Sequence, residues 1–215
     1  RRICTCVKFG VATTTASLNA AGIGRNHRVA IVLPNGPEMA TCFLACACAA
    51  TSAPLNPAYR ADEFEFYLDD LQAKALIVEH GSTSPAVAAA RKMGVQVIEL
   101  AVADGAPAGR FSLAAGAAAP CASGGPAHAE DVAMVLHTSG TTSRPKRVPL
   151  SGANLCASAG NIAAALKFTA QDVGLNIMPL FHIHGLLAGL LARHPLRFVR
   201  SSSSAMPPQL IGQLE

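Results

Sequence analysis

Short apolar runs alternate with stretches of helical period along the first half of the chain. The apolar runs have the length of buried strands, and turn formers such as Pro34, Asn35 and Gly36 close them. The predicted strands cover residues 29–33, 53–55, 75–78 and 95–100. The predicted helices cover residues 12–21, 38–50, 60–72 and 84–93. Strands that alternate with helices predict an α/β fold, with parallel sheets flanked by helices on both faces.

The predicted helix over 60–72 is amphipathic. Phe64, Leu68 and Leu71 fall on one face at helical spacing, which predicts that this face is buried. The acidic residues, which fall mostly on the other face, are Asp62, Glu63, Asp69 and Asp70.

The most apolar stretch of the chain, residues 39–55, has the composition of a membrane span. It is shorter than the roughly 20 residues that a span requires, and polar residues and Pro54 interrupt it. We therefore predict a helix buried in a globular core and no membrane span.

The second half of the chain carries fewer regular patterns. Residues 101–129 are rich in Ala, Gly and Pro, which predicts a surface loop. The stretch 132–150 is predicted as a strand, a hydroxyl-rich loop and a helix. Ser151 is then the predicted N-cap of a helix that runs to about Lys167, and residues 173–178 are predicted as another strand.

The hydroxyl-rich loop after the strand at 132–136 is the first candidate site. Its glycine permits close approach to a ligand, successive N–H groups can form a nest for an anion, and a lysine adds a positive charge suited to polyphosphate. The predicted phosphate-binding residues are Thr138, Ser139, Gly140, Thr141, Thr142 and Lys146.

Two alternatives stand beside this interpretation. A Walker A loop, G-x-x-x-x-G-K-S/T, fits the spacing, but Pro145 removes a needed N–H group and Arg147 replaces the hydroxyl that would hold magnesium. The loop could also be a polar turn without a ligand.

The same residues resemble the phosphate-binding signature of the adenylate-forming superfamily, Ser/Thr-Ser-Gly-Thr-Thr-Gly-x-Pro-Lys-Gly. Thr138 to Thr142, Pro145 and Lys146 match, whereas Ser143 and Arg147 stand where the family has glycines. The resemblance implies an AMP-dependent acyl-CoA synthetase of the 4-coumarate/oxalate CoA ligase type. The loop would then hold the β- and γ-phosphates of ATP, Arg144 would face solvent, and Arg147 would crowd the loop.

A second candidate site contains two histidines, His182 and His184, followed by Gly185 at a predicted strand-to-helix turn. The segment resembles the P-x-F-H-x-x-G segment of the same superfamily, which implies that both histidines bind or gate the carboxylate substrate. The alternative is a pair of partly buried histidines bonded to the backbone. As metal ligands they lack a third partner nearby in the sequence.

A run of small residues, 200–207, forms the third candidate. It resembles the small-residue segment of the superfamily that lies against adenine, which implies that Ser203 and Ser204 contact the nucleotide. Taken alone, the run is typical of a solvated serine turn.

Composition limits the classes of partner and compartment. A net charge of +4 with no Trp argues against nucleic acid as the main partner. Seven cysteines without a C-x-x-C pair indicate reduced, buried thiols rather than a zinc site. The expected compartment is intracellular, either cytoplasmic or peroxisomal.

The resemblance covers only the front of the family's large domain, so residues 1–215 are interpreted as a partial N-terminal AMP-binding domain. The family's magnesium-binding glutamate segment, its ribose-binding aspartate and its C-terminal domain with the catalytic lysine have no counterpart here. A strand, helix and strand are also missing after Ala192, which suggests a truncated or mispredicted gene product. We assign no catalytic residue and no metal ligand.

The implied reaction is ATP-dependent activation of a small-molecule carboxylate to an acyl-adenylate and then to an acyl-CoA, with ATP, Mg²⁺ and CoA. The truncation predicts that this chain is inactive. The alternative is a non-catalytic fragment that binds a nucleotide or a partner chain, and the oligomeric state stays open.

Overall fold

A computed structural model describes residues 2–116, 119, 121–138, 145–169, 172 and 176–192, with side chains from Val11 onward. The chain divides into two compact units, Arg1–Leu155 and Cys156–Glu215.

The first unit contains the helices and strands that the sequence predicted, with small differences at their ends, except that α1 begins at Arg2 instead of at residue 12. The helices are α1 (Arg2–Ala20), α2 (Pro37–Ala49), α3 (Ala61–Leu71), α4 (Pro85–Lys92) and the beginning of α5 (Gly152–Ala165). The strands are β1 (Arg28–Val32), β2 (Thr51–Pro54), β3 (Ala75–Glu79), β4 (Gln96–Ala101), β5 (Ser112–Ala114), β6 (Val132–Thr138) and β7 (Lys146–Ser151).

All seven strands form one sheet in the order β5-β4-β3-β1-β2-β6-β7. The pairs from β4 across to β6 are parallel, and the edge strands β5 and β7 are antiparallel to their neighbours. The α/β prediction is confirmed. The edge strands differ from the predicted parallel arrangement. A parallel pair requires a long crossover connection, and the connections before β5 and β7 are too short for one, so both strands pair in the antiparallel sense.

The core lies on both faces of the parallel strands. On one face, Phe64, Leu68 and Leu71 of α3 are at most 1% exposed, which confirms the predicted apolar face of this helix. They pack with alanines of α4 and with alternate residues of the sheet. Helix α2, which packs against α1 and β2, buries Met39, Cys42, Phe43, Ala45, Cys46 and Ala49.

The helix predicted from the most apolar stretch is therefore confirmed as a core element. Among the helices in the described part of the chain, none has both the length and the apolar character that crossing a bilayer demands.

Three predictions of secondary structure need correction. Residues 146–150 form strand β7 instead of the start of a helix. The predicted loop over 101–129 contains β5, whose Ser-Leu-Ala sequence gives no strand signal. Residues 176–178 are not a strand, while residues 173–175 lie outside the described residues. In the second unit, the described chain continues α5 and then forms a π-helix, Gly185–Leu191.

Candidate functional site

The ends of strands β6 and β7 bring together the two described members of the predicted phosphate site. Thr138 is the last residue of β6 and Lys146 the first of β7, and the two face each other in the antiparallel register. The hydroxyl of Thr138 donates to the carbonyl oxygen of Lys146 at 3.5 Å. Both residues are exposed, and Lys146 forms no ion pair with any described residue. Residues separated by the loop in sequence thus share the tip of one hairpin.

The other predicted phosphate ligands, Ser139, Gly140, Thr141 and Thr142, lie outside the described residues, as does Arg144. The same holds for Ser203 and Ser204. These assignments stay predictions.

Strand β7 leads directly into α5, and Ser151 caps that helix as the sequence predicted. Its hydroxyl accepts from the N–H group of Asn154 at 3.2 Å, and the Asn154 side-chain oxygen accepts from the Ser151 N–H group at 3.1 Å. This reciprocal pair satisfies two polar groups at the helix start.

The base of the hairpin is held by a side-chain cluster that the sequence did not reveal. Asp70 of α3 accepts from His137 Nε2 at 2.9 Å, and the same oxygen, Oδ2, lies 3.2 Å from Arg147 Nε. The ring of His137 also meets the ring of Tyr67 edge-on, with centroids 4.7 Å apart. The structure thus directs Arg147, the residue expected to crowd the loop, to α3.

Tyr67 is itself held by a second aromatic ring. It stacks on Tyr59 with ring centroids 4.7 Å apart and planes 16° from parallel. Burial, and after it a hydrogen bond with Tyr67, raises the pKa of Tyr59 above its ordinary value. The Tyr59 phenol is therefore neutral at physiological pH, and the Tyr67 ring that stacks on it contacts His137.

The two predicted substrate histidines lie in the second unit, just before the π-helix. His182 is exposed, and its Nδ1 accepts from the backbone N–H group of His184 at 3.4 Å. His184 is half-buried and lines a cavity of about 290 Å³ with Ile162, Ile183, Leu187 and Ala188. Of the two histidines, His184 faces this mostly apolar cavity, and His182 does not line it.

Glycines determine the shape of this segment. A Cβ atom on Gly185 would overlap the carbonyl oxygen of Pro179 and approach that of Met178 to 2.9 Å. A Cβ atom on Gly189 would overlap the side-chain amide of Asn176, which donates to the Gly185 carbonyl oxygen at 3.0 Å. Close backbone approach therefore requires both glycines. A π-helix is a rare conformation that recurs at functional sites.

A second cavity, of about 340 Å³, lies in the first unit at the carboxyl ends of β1, β3 and β4. Such an edge of a parallel sheet is a common place for ligands. Its lining includes the carboxylates of Glu38 and Glu79, and Glu38 accepts from the N–H group of Gly109 at 2.9 Å. Carboxylates repel phosphate, so this cavity does not compete with the hairpin as a phosphate site.

None of the five cysteines whose side chains the structure describes forms a disulfide. Cys42 and Cys46 are buried in α2, as predicted, but Cys48 and Cys156 are exposed, so the prediction of buried thiols was wrong for them. A hydrogen bond with Cys46, together with burial, raises the pKa of the Cys42 thiol. The thiols inside α2 therefore act as small apolar side chains.

A magnesium site does not emerge from the described residues. Within the described ranges, no group of three or more His, Cys, Asp or Glu side chains is arranged to hold a metal ion.

Comparison with known proteins identifies the family. The model of the AMP-binding enzyme family matches residues 11–214. An oxalate–CoA ligase of Arabidopsis thaliana is 44% identical over 174 residues, which are 80% of this chain and 34% of the relative. An oxalate–CoA ligase of Saccharomyces cerevisiae is 38% identical over 195 residues, with coverage of 78% and 35%.

The fold agrees with the sequence comparison. The crystal structure of ATP-bound MatB from Rhodopseudomonas palustris superposes with a TM-score of 0.71 at 29% identity, covering 95% of this chain and 40% of that one. The chain spans about a third of the length of the curated relatives that it matches. A match over nearly all of its residues, in sequence and in fold, shows that this chain belongs to the family of AMP-binding enzymes.

Proposed function

We propose that this chain supplies the ATP-phosphate-binding part of an enzyme that activates a small carboxylate to an acyl-adenylate and then to an acyl-CoA. Residues 1–215 would form part of its N-terminal AMP-binding domain. The observation that carries the proposal is the β6–β7 hairpin, at whose tip a hydroxyl and an unpaired ammonium group stand opposite each other among the described residues.

The hairpin tip suits the tail of a nucleoside triphosphate. Lys146 offers a mobile positive charge and Thr138 offers a donor without charge. Ser139 to Thr142 would complete the site, and Ser203 and Ser204 would lie against adenine. Enzymes of this family use ATP, Mg²⁺ and CoA, and a solved relative holds ATP.

The chemistry assigned to the hairpin is electrostatic. In the first step, the substrate carboxylate attacks the α-phosphate of ATP, and pyrophosphate leaves. Negative charge grows on the departing pyrophosphate, where the Lys146 ammonium and the loop hydroxyls would stabilise it. In the second step, the thiol of CoA displaces AMP. Neither step requires proton transfer from the hairpin.

His184 and His182 are the proposed substrate contacts. The cavity that His184 lines has room for a small organic acid, and among its described lining residues His184 supplies a polar side chain beside Ile162, Ile183, Leu187 and Ala188. The names of the relatives include oxalate–CoA ligase, feruloyl-CoA synthase and 2-succinylbenzoate–CoA ligase. We infer a small carboxylate and favour oxalate, because the two oxalate–CoA ligases are more similar in sequence to this chain than the feruloyl-CoA synthase and the 2-succinylbenzoate–CoA ligase are.

The test measures pyrophosphate release from the 215-residue chain with ATP, magnesium and a panel of oxalate, ferulate, 2-succinylbenzoate and sulfoacetate. Calorimetric titration with ATP runs in parallel. Release that depends on one of these acids supports the complete first step. A chain that neither binds ATP nor releases pyrophosphate contradicts the proposal.

A second candidate function is nucleotide binding without catalysis. The hairpin tip is compatible with it, because an ammonium group and a hydroxyl can bind phosphate without supplying a catalytic group. In that case, calorimetry would detect ATP, and the pyrophosphate assay would show no dependence on any acid. The two assays together therefore separate the candidates.

A further inference from the structure

The two strands that enter and leave the phosphate loop end in two pairs of facing residues. His137 faces Arg147, and Thr138 faces Lys146 one position further along. Side chains of neighbouring positions on a strand point to opposite faces of the sheet, while facing residues share a face. His137 and Arg147 therefore share the face that α3 covers, and Thr138 and Lys146 project from the other.

One carboxylate oxygen of α3 binds both members of the first pair. Asp70 Oδ2 lies 2.9 Å from His137 Nε2 and 3.2 Å from Arg147 Nε. The partners are separated by 67 and 77 positions from Asp70 in the sequence. A single atom thus joins the incoming strand, the outgoing strand and the helix.

Arg147 also binds the main chain at the end of α3. Its Nη1 atom donates to the carbonyl oxygen of Asp70. This carbonyl belongs to the last turn of the helix. In a continuing helix it would accept from the N–H group of Lys74, but that group donates to the carbonyl oxygen of Arg28. The last carbonyls of a helix lack partners within it and carry partial negative charge, so a guanidinium is favoured there.

Burial makes this arrangement more than a surface ion pair. The His137 side chain is 6% exposed, whereas those of Asp70 and Arg147 are 32% and 44% exposed. An exposed Asp–Arg pair alone contributes little to stability. Here, a buried imidazole that also contacts Tyr67 fixes the carboxylate, and the carboxylate can fix the arginine.

We propose that Asp70 is a positioning residue for the binding of ATP. It holds the ends of β6 and β7 so that Thr138 and Lys146 meet the β- and γ-phosphates together. This inference rests on the proposed function. It also gives Arg147 a role: where the related signature has glycine, this chain has the second anchor of the hairpin.

The experiment compares Asp70→Ala, Asp70→Asn and Lys146→Ala in the full chain, with Glu65→Gln as the control. Glu65 lies on the same helix and forms a similar ion pair, at 2.8 Å, with Lys92. This ion pair connects α3 to α4 and does not involve the hairpin. Calorimetry gives the dissociation constants of ATP and AMP. Hydrogen–deuterium exchange of the β6–β7 hairpin is followed without nucleotide, and Tm is measured throughout.

We expect Asp70→Ala to weaken ATP binding about tenfold and Asp70→Asn about threefold, because asparagine keeps one acceptor oxygen but not the charge. AMP binding should stay unchanged, since AMP lacks the phosphates that Lys146 meets. A merely structural role would weaken both nucleotides and lower Tm. Exchange in the hairpin should rise in Asp70→Ala and not in Glu65→Gln.

The outcomes separate the two proposals. If Lys146→Ala weakens ATP binding but Asp70→Ala behaves like Glu65→Gln, the role of Asp70 is refuted and the phosphate site stands. If the wild-type chain does not bind ATP, the proposed function is refuted. Unchanged exchange in the Asp70→Ala hairpin refutes the positioning role whether or not ATP binds.

Discussion

The centre of the sheet and the β6–β7 hairpin at its edge differ in what their side chains do. In β3, Ala75 to Val78 are all buried, and β1 is buried from Val29 to Val32. In β7, every residue is exposed or half-buried, and the strand begins with Lys146 and Arg147. The centre supplies stability through apolar burial, whereas the edge presents charges and hydroxyls on a backbone that the centre holds in place.

The largest contrast should appear when one side chain is shortened in each region. Ile77→Ala in β3 removes a side chain with 0% exposure and should lower the free energy of unfolding by about 2–5 kcal/mol. Val148→Ala in β7, at a half-buried position, should cost less than about 1 kcal/mol. Urea denaturation measures both. Equal losses would show that the hairpin belongs to the core.

Removing the lysine at the hairpin tip should affect binding and leave stability nearly unchanged. Lys146→Ala is expected to weaken ATP binding by about 1.5–3 kcal/mol, the range for one charge-assisted contact. Calorimetry measures the affinity, and the midpoint of urea denaturation serves as the control. An unchanged dissociation constant would remove Lys146 from the site.

Residues 121–131, which lead to β6, should prove as tightly packed as the core, although they form no helix or strand. A Cβ atom on Gly24 would lie 2.6 Å from both Cys121 Sγ and the Ser123 carbonyl oxygen. Gly24→Ala should therefore destabilise the chain by about 1–3 kcal/mol.

The same substitution at Gly160 provides the control. Gly160 lies within α5, and a Cβ atom there meets no heavy atom within 4 Å. Gly160→Ala should raise stability by about 0.5–1 kcal/mol, because alanine is the better helix former. Thermal unfolding measures the stability of both variants. A neutral or stabilising effect of Gly24→Ala would show that the connection to β6 is loosely packed.

The smallest expected effect is a pH dependence at the entrance to β6. A hydrogen bond from the His128 N–H group, followed by one from Asn26, lowers the pKa of Asp131. A lowered pKa in the folded state stabilises the chain above the unfolded value of about 3.9, and this contribution is lost as the pH falls through the folded value.

Asp131→Asn should therefore lower Tm at pH 7, and the difference from wild type should shrink below about pH 4. Thermal unfolding across this pH range is the measurement. A Tm difference that stays constant down to pH 2 would contradict an ionised Asp131 as its source.

The sequence predicted the central strands and helices because each has a strong local signal. Phe64, Leu68 and Leu71 recur at helical spacing, and the buried strands are short apolar runs bounded by turn formers. The cap at Ser151 was also predictable, since a hydroxyl precedes the helix. These features depend on residues within a few positions of one another.

Features that depend on distant residues were not predictable in the same way. Lys146 to Leu150 form a strand because β6 pairs with them, and Pro149 within the run argues against this assignment from sequence alone. Asp70 was assigned to the polar face of α3, but its partners His137 and Arg147 lie far along the chain. The motif in the sequence predicted Thr138 and Lys146 as phosphate-binding residues. That the two residues face each other in the β6–β7 hairpin was visible only in the structure.

The two edge strands of the sheet affect the tendency of this protein to aggregate. An unpaired strand edge can recruit a strand from another molecule, which leads to aggregation. Strand β5 has only three residues, and β7 carries Lys146, Arg147 and Pro149, all of which hinder such recruitment. In the sheet as described, neither margin offers a long, flat template, so crowded solutions of this chain should resist intermolecular β-pairing.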